Sequence, residues 1–135
     1  MKSIKTIFAS VILIALVSVS AFAGTGAKVI AVVNQAGWCS VCQNNGMRAM
    51  EAFKANNQDM AIQFVANDLT NDETKAKSAE ELKKLGLDKA IAAYRGTGVV
   101  YFFNSETKAL ISQVSVTKPD EELAAALTTA KKGLK

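Results

Sequence analysis

The sequence predicts one α/β domain in which four short strands alternate with helices. Two apolar runs, Val29-Ile30-Ala31-Val32-Val33 and Val99-Val100-Tyr101-Phe102-Phe103, have the near-continuous hydrophobicity of strands covered on both faces. The charged stretches around them carry leucines and a phenylalanine at helical spacing. The two cysteines, Cys39 and Cys42, follow the first run directly, where a strand gives way to a helix. With 135 residues, half of them hydrophobic, the chain can build one core and needs no second domain.

Residues 1–23 read as a secretory leader. Met1-Lys2-Ser3-Ile4-Lys5 is a basic start, residues 7–19 are almost unbroken in hydrophobicity, and Ala21-Phe22-Ala23 is a small-x-small cleavage pattern before Gly24. The apolar run is shorter than the ~20 residues a spanning helix needs. No cysteine follows the cleavage pattern, which argues against a lipid anchor. The domain is therefore expected to be residues 24–135, exported, free of the membrane after cleavage and most plausibly periplasmic.

Each element follows in order. Residues 28–34 form the first strand. Residues 39–56 form a helix in which Met47, Met50 and Phe53 share a spacing that turns them toward the sheet. Gly46, inside that helix, costs about 1 kcal/mol relative to alanine and is expected to admit a close neighbour or a kink. Residues 61–67 form the second strand, with Ile62, Phe64 and Val65 as its apolar members. Asp68 stands at its C-terminal end, the edge where α/β folds place function. It reads as a solvated loop acid, with proton transfer near the cysteines as the alternative.

Residues 70–85 begin polar and become helical, with Ser78-Ala79-Glu80-Glu81 as a capping box, Leu82 and Leu85 as an apolar stripe, and Gly86 as the stop. Residues 87–94 suggest a second short helix capped by Asp88. This connection reads either as a wall for a partner groove or as a solvated spacer. Residues 98–103 form the third strand, 104–107 a hairpin loop and 109–116 a fourth strand whose mixed pattern suits an edge. Pro119 opens the last helix, residues 121–131, where Leu123 and Leu127 share a face. Acidic residues lead that helix and lysines end it, matching its dipole.

Cysteines three apart on a helical turn lie on one face, within the span a disulfide tolerates. Cys39 stands where a helix N-terminus presents unpaired N–H groups, which favours thiolate and lowers its pKa. Cys42, one turn in, is expected to be more buried and more protonated. Cys39 then attacks and Cys42 resolves. The plainer reading is a structural staple, which export makes more plausible. A loop this short removes little unfolded-state entropy, however, which favours the redox reading.

Ala36-Gly37-Trp38-Cys39-Ser40-Val41-Cys42 resembles the active-site turn of the thioredoxin superfamily, Ala-x-Trp-Cys-x-x-Cys after the central strand. The resemblance implies a minimal thioredoxin-like fold: a four-stranded mixed sheet in the order 2-1-3-4, flanked by helices. Strands one and two would be parallel, three and four antiparallel. It also implies that Trp38 shields the turn and offers an apolar contact, and that Thr97 and Gly98 lie at the substrate-binding position. Two departures stand out. Gly98 occupies the place of the family's cis-proline, so a trans peptide is expected there, since a cis bond before a non-proline residue costs about 3 kcal/mol. Val33 occupies the place of the buried aspartate that accepts a proton from the second cysteine, which leaves water as the carrier.

The sequence thus points to an exported thiol–disulfide oxidoreductase. It would exchange disulfides with protein thiols and with a redox partner protein, and it is read as a monomer. Ser40-Val41 lacks the histidine of the superfamily's strong oxidants, a lean toward reductase or isomerase work. The alternatives are a non-catalytic binding module and a soft-metal carrier using both thiols with Met47 or another donor, restricted to copper(I)-like ions because the chain has no histidine. No glycine-rich nucleotide loop is present, so no nicotinamide or flavin cofactor is expected. The formal charge is +4; with Lys2 and Lys5 in the leader, fourteen cations face twelve anions in the mature chain, and no basic run suggests nucleic acid.

Overall fold

The computed structural model describes residues 27–133; the expected leader, residues 1–23, lies outside them. Strands β1 (Val29–Gln35), β2 (Ile62–Asp68), β3 (Val99–Asn104) and β4 (Leu110–Ser115) form one sheet in the order β2-β1-β3-β4. β1 runs parallel to β2 and antiparallel to β3, and β4 is antiparallel to β3. The helices are α1 (Ser40–Ala55), α2 (Asp72–Lys84), the single turn α3 (Asp88–Ile91) and α4 (Asp120–Lys132). This is the minimal thioredoxin-like α/β arrangement expected.

β1 is central, and every residue from Val29 to Asn34 is buried. Its alternation feeds two cores. Val29, Ala31 and Val33 join Val100 and Phe102 against Ala49 and Phe53 of α1 and Leu123 and Leu127 of α4. Ile30 and Val32 join Tyr101 and Phe103 against Leu82, Leu87 and Ile91. With helices on both faces, the C-terminal end of β1 delivers the chain to the sheet edge, and there it turns into α1.

Several local expectations are corrected. α2 is capped by Asn71, whose side chain accepts the Thr74 N–H while Thr74 Oγ1 accepts the Asn71 N–H. Ser78 is therefore mid-helix and buried, its Oγ accepting the Asp68 N–H at 2.9 Å. The Ser-x-x-Glu pattern is local, but the helix starts earlier, where the chain leaves β2. Asp88 lies in the first turn of α3 rather than capping it; the N-cap is Leu87, which is buried. Gly86 does end α2, with φ +74° and the Leu87 N–H reaching back to Leu82 O at 2.8 Å.

Met47 and Met50 do not face the sheet; they are 80% and 39% exposed. Phe53 sets the register of α1 together with Ala49 and Ala52, the residues it buries. Met47 precedes Ala49 by two positions, about 200° around the helix, and so points outward. Gly46 admits no neighbour: a Cβ there would meet nothing within 4 Å.

Candidate active site

Cys39 is the N-cap residue of α1, with extended backbone angles, and its sulfur accepts the Cys42 N–H at 3.2 Å. Both cysteines are free thiols here. The Gln43 N–H bonds to Cys39 O and the Cys39 N–H to Ala36 O, so the turn is closed at both ends. It is also tied to the end of β2. Asp68 accepts from the Thr70 hydroxyl and N–H; Thr70 Oγ1 accepts the Gly37 N–H at 2.8 Å, and Thr70 O accepts Trp38 Nε1–H at 3.2 Å. Gln43 Nε2 donates to Gly37 O. The Asp68 carboxyl is held below its usual range by the Thr70 contacts, so it stays ionised and acts as the anchor of this relay.

Thr70 and Gln43 were invisible to motif reasoning. Thr70 could have been flagged because it follows Asp68 at the C-terminal edge of a parallel strand. Gln43 had no such signal.

The two thiols are driven apart in acidity. Burial pushes Cys39 up, but hydrogen bonds from the Cys42 thiol, the Thr97 side chain and the Cys42 and Val41 backbone outweigh it, and the net shift is downward. Cys42 is raised by burial and by the neighbouring Cys39 sulfur, against opposing backbone hydrogen bonds from Ala36 and Gly98. The expected order of burial is reversed: Cys39 is only 7% exposed, whereas Cys42 is half-buried. Acidity here follows hydrogen bonding rather than exposure.

The lowered pKa of Cys39 has a measurable sign. Its thiolate is lost as pH falls through its own, depressed pKa, so iodoacetamide alkylation read at Cys39 has its midpoint below the ordinary thiol value of about 8.5. The Thr97→Val variant moves that midpoint up and slows alkylation at pH 7 by roughly three- to tenfold. An unchanged profile removes the Thr97 hydroxyl from the account.

Thr97 and Gly98 both come to the cysteine pair. Gly98 is buried with φ +76°, and no peptide bond among the described residues is cis. Its N–H donates to Asn34 O at 2.8 Å and its carbonyl accepts the Val116 N–H at 2.9 Å, so both backbone groups are spent inside the fold. A Cβ on Gly98 would stand 2.8 Å from Val41 Cγ1, inside the Cys-x-x-Cys turn. Val33 is buried beside Cys42, with no carboxylate in the cleft they share. That cleft, about 390 Å³, lies along α1 and is lined by Cys42, Gly46, Met47 and Met50. A second cleft of about 390 Å³ lies on the other side of the turn, between Trp38 and Thr97. Trp38 is 63% exposed.

No family model matches the sequence, and no curated protein matches it either. Solved structures do match the fold. Thioredoxin from Malassezia sympodialis (Mala s 13) has a TM-score of 0.51 at 19% identity, covering 78% of this chain and 80% of its own. Trxlp from Edwardsiella tarda has a TM-score of 0.49 at 13% identity, covering 82% and 91%. A secreted Mycobacterium tuberculosis disulfide oxidoreductase, described as homologous to E. coli DsbE, has a TM-score of 0.48 at 14% identity, covering 78% and 84%. The match to the Malassezia sympodialis thioredoxin, together with the strand order β2-β1-β3-β4, gives the protein the thioredoxin fold. Within that class it carries a Trp-Cys-x-x-Cys turn at the N-terminus of α1 and a trans glycine across from it.

Proposed function

We propose that the protein is an exported thiol–disulfide oxidoreductase that exchanges disulfides with partner proteins. The observation that carries this reading is geometric: Cys39 is the N-cap of α1, with its sulfur accepting the Cys42 N–H at 3.2 Å, an arrangement in which the Cys39 pKa is shifted down and that of Cys42 up. In the proposed cycle the Cys39 thiolate attacks one sulfur of a partner disulfide, forms a mixed disulfide and expels the other sulfur as thiolate. Cys42 then loses its proton and attacks the Cys39 sulfur. The partner leaves as a dithiol, reduced by two electrons, and Cys39–Cys42 becomes the disulfide. A second redox protein returns the electrons.

Val33 offers no proton acceptor, so the Cys42 proton leaves to water in this scheme. Export and a periplasmic site of action rest on residues 1–23; no described helix is long and apolar enough to cross a membrane. The test is dithiol-driven reduction of insulin by residues 24–135. Turnover well above the dithiol background supports the reading. Background rate alone overturns it in favour of a non-catalytic binding module.

One observation favours a second reading, a soft-metal carrier: Met47 and Met50 turn from the sheet and line the cleft into which Cys42 opens. Stoichiometric copper(I) binding by the reduced protein, weakened in a Met47→Leu/Met50→Leu variant, supports it. Absence of binding removes it.

A further inference from the structure

The second cleft is chemically unlike the first. Trp38 and Thr97 form the wall nearest the Cys39 turn, Asn67 and Tyr94 add to it, and Lys75 of α2 and Arg95 of the segment before β3 stand on it as exposed cations. No aspartate or glutamate lines it. Among the described residues neither cation forms a salt bridge, although Arg48, Lys84 and Lys131 all do. Arg95 uses only Nε, on Ala92 O at 3.4 Å.

The wall is held in place from several sides. Trp38 is fixed through Nε1–H to Thr70 O at 3.2 Å, and Asn67 is buried with Nδ2 on Asn34 Oδ1 at 3.0 Å. Asn34 in turn donates to Tyr94 O at 3.0 Å, tying the segment that carries Arg95 to the central strand. Trp38, the residue before Cys39, and Thr97, the residue before Gly98, both line the cleft, so it lies beside the Cys39–Cys42 turn.

We infer that this cleft selects redox partners whose cysteine is flanked by acidic residues, with Lys75 and Arg95 receiving the carboxylates while Trp38 covers the intervening chain. Two cations without counter-ions beside a reactive sulfur fit an anionic segment and repel a basic one. The inference rests on the exchange reading above, and names its substrate class. The function of the long connection between β2 and β3 follows from it: α2 and the segment after α3 supply the two charges.

Two measurements separate the inference from the reading beneath it. The first uses three peptides of one length, each a symmetrical disulfide of a single cysteine flanked by glutamate, glutamine or lysine. Reduced protein is expected to cleave the glutamate peptide about five- to tenfold faster than the glutamine peptide at low salt, with the lysine peptide slowest and the spread narrowing as salt rises. The Lys75→Glu/Arg95→Glu variant, altered only at exposed positions, inverts the order. Equal rates for the three peptides, or an order untouched by the variant, overturn the inference.

The second needs no redox step. Trp38 is the chain's only tryptophan, so its fluorescence reports on the cleft. Serine-for-cysteine versions of the same peptides are titrated against it. Stronger binding of the glutamate version, lost in the double variant, supports the inference even if no peptide is reduced and the exchange reading falls. Indifference to charge in this titration overturns it even if all three disulfides are cleaved.

Discussion

Serine at position 39 is expected to bring disulfide exchange down to the uncatalysed background, a loss of about 10³-fold or more. A hydroxyl neither ionises near neutral pH nor forms a bond to sulfur that Cys42 can later displace, so both halves of the proposed cycle are lost. The fold should survive, because Cys39 meets α1 through hydrogen bonds that serine can also accept: a serine side chain is a favoured N-cap. Unchanged far-ultraviolet circular dichroism with lost turnover is therefore the expected pair of results.

The informative partner of this variant is Cys42→Ala. It should retain the first attack and hold the partner as a mixed disulfide, seen as a reductant-sensitive band in a non-reducing gel. The structure gives this comparison particular force, because Cys42 is the more open of the two residues while Cys39 is the more acidic. If acidity governs, Cys42→Ala traps and Cys39→Ser does not. If exposure governs, the trapping variant is the one lacking Cys39, and the assigned roles must be exchanged.

The second large effect is at Gly98. Placing a proline at this position should harm the protein. Proline locks φ near −65°, whereas Gly98 has φ +76°; proline also lacks the N–H that donates to Asn34 O. The ring would enter the space of Val41 Cγ1, 2.8 Å from where a Cβ would stand. Left-handed strain of about 1–2 kcal/mol, overpacking of about 1–3 kcal/mol and a lost hydrogen bond of about 1 kcal/mol are together comparable with a sizeable part of a typical domain stability of 5–15 kcal/mol. Gly98→Ala keeps the N–H and should be milder, lowering Tm by roughly 10–20 °C. Adding Val41→Ala to Gly98→Ala relieves the contact but not the φ, so about half of the loss should return. Thermal unfolding of the three variants tests this. A Gly98→Pro protein as stable as the parent would show that the backbone at this point is free to change, and the account of Gly98 would be wrong.

Local patterns carried a good deal of this protein. The strand runs at Val29 and Val99 are legible because a strand buried on both faces leaves no room for polar residues. The helix after Cys39 and the stop at Gly86 are legible because helix ends need special chemistry at single positions. The closeness of Cys39 and Cys42 was legible because one helical turn brings its two ends together.

What the linear pattern did not contain is the outcome of competition between distant groups. Met47 and Met50 match a helical stripe with Phe53, yet only Phe53 is buried; which stripe faces inward was decided by the small Ala49 and Ala52 letting α1 settle on β1. Ser78 fits a cap by sequence, but became a buried acceptor for Asp68 once Asn71 had started the helix. Thr70, thirty-two residues beyond Trp38, holds the cysteine turn only because β2 lies parallel beside β1. Nothing in the linear pattern marks Lys75 or Arg95; the fold places them on one cleft with Thr97. Chain chemistry by itself determined the elements and the closeness of the two cysteines, because those depend on neighbours within one or two turns. Tertiary structure alone decided which cysteine is the more buried, in which direction each pKa moves and what stands around them, because those properties are set by atoms that meet only after the strands have paired.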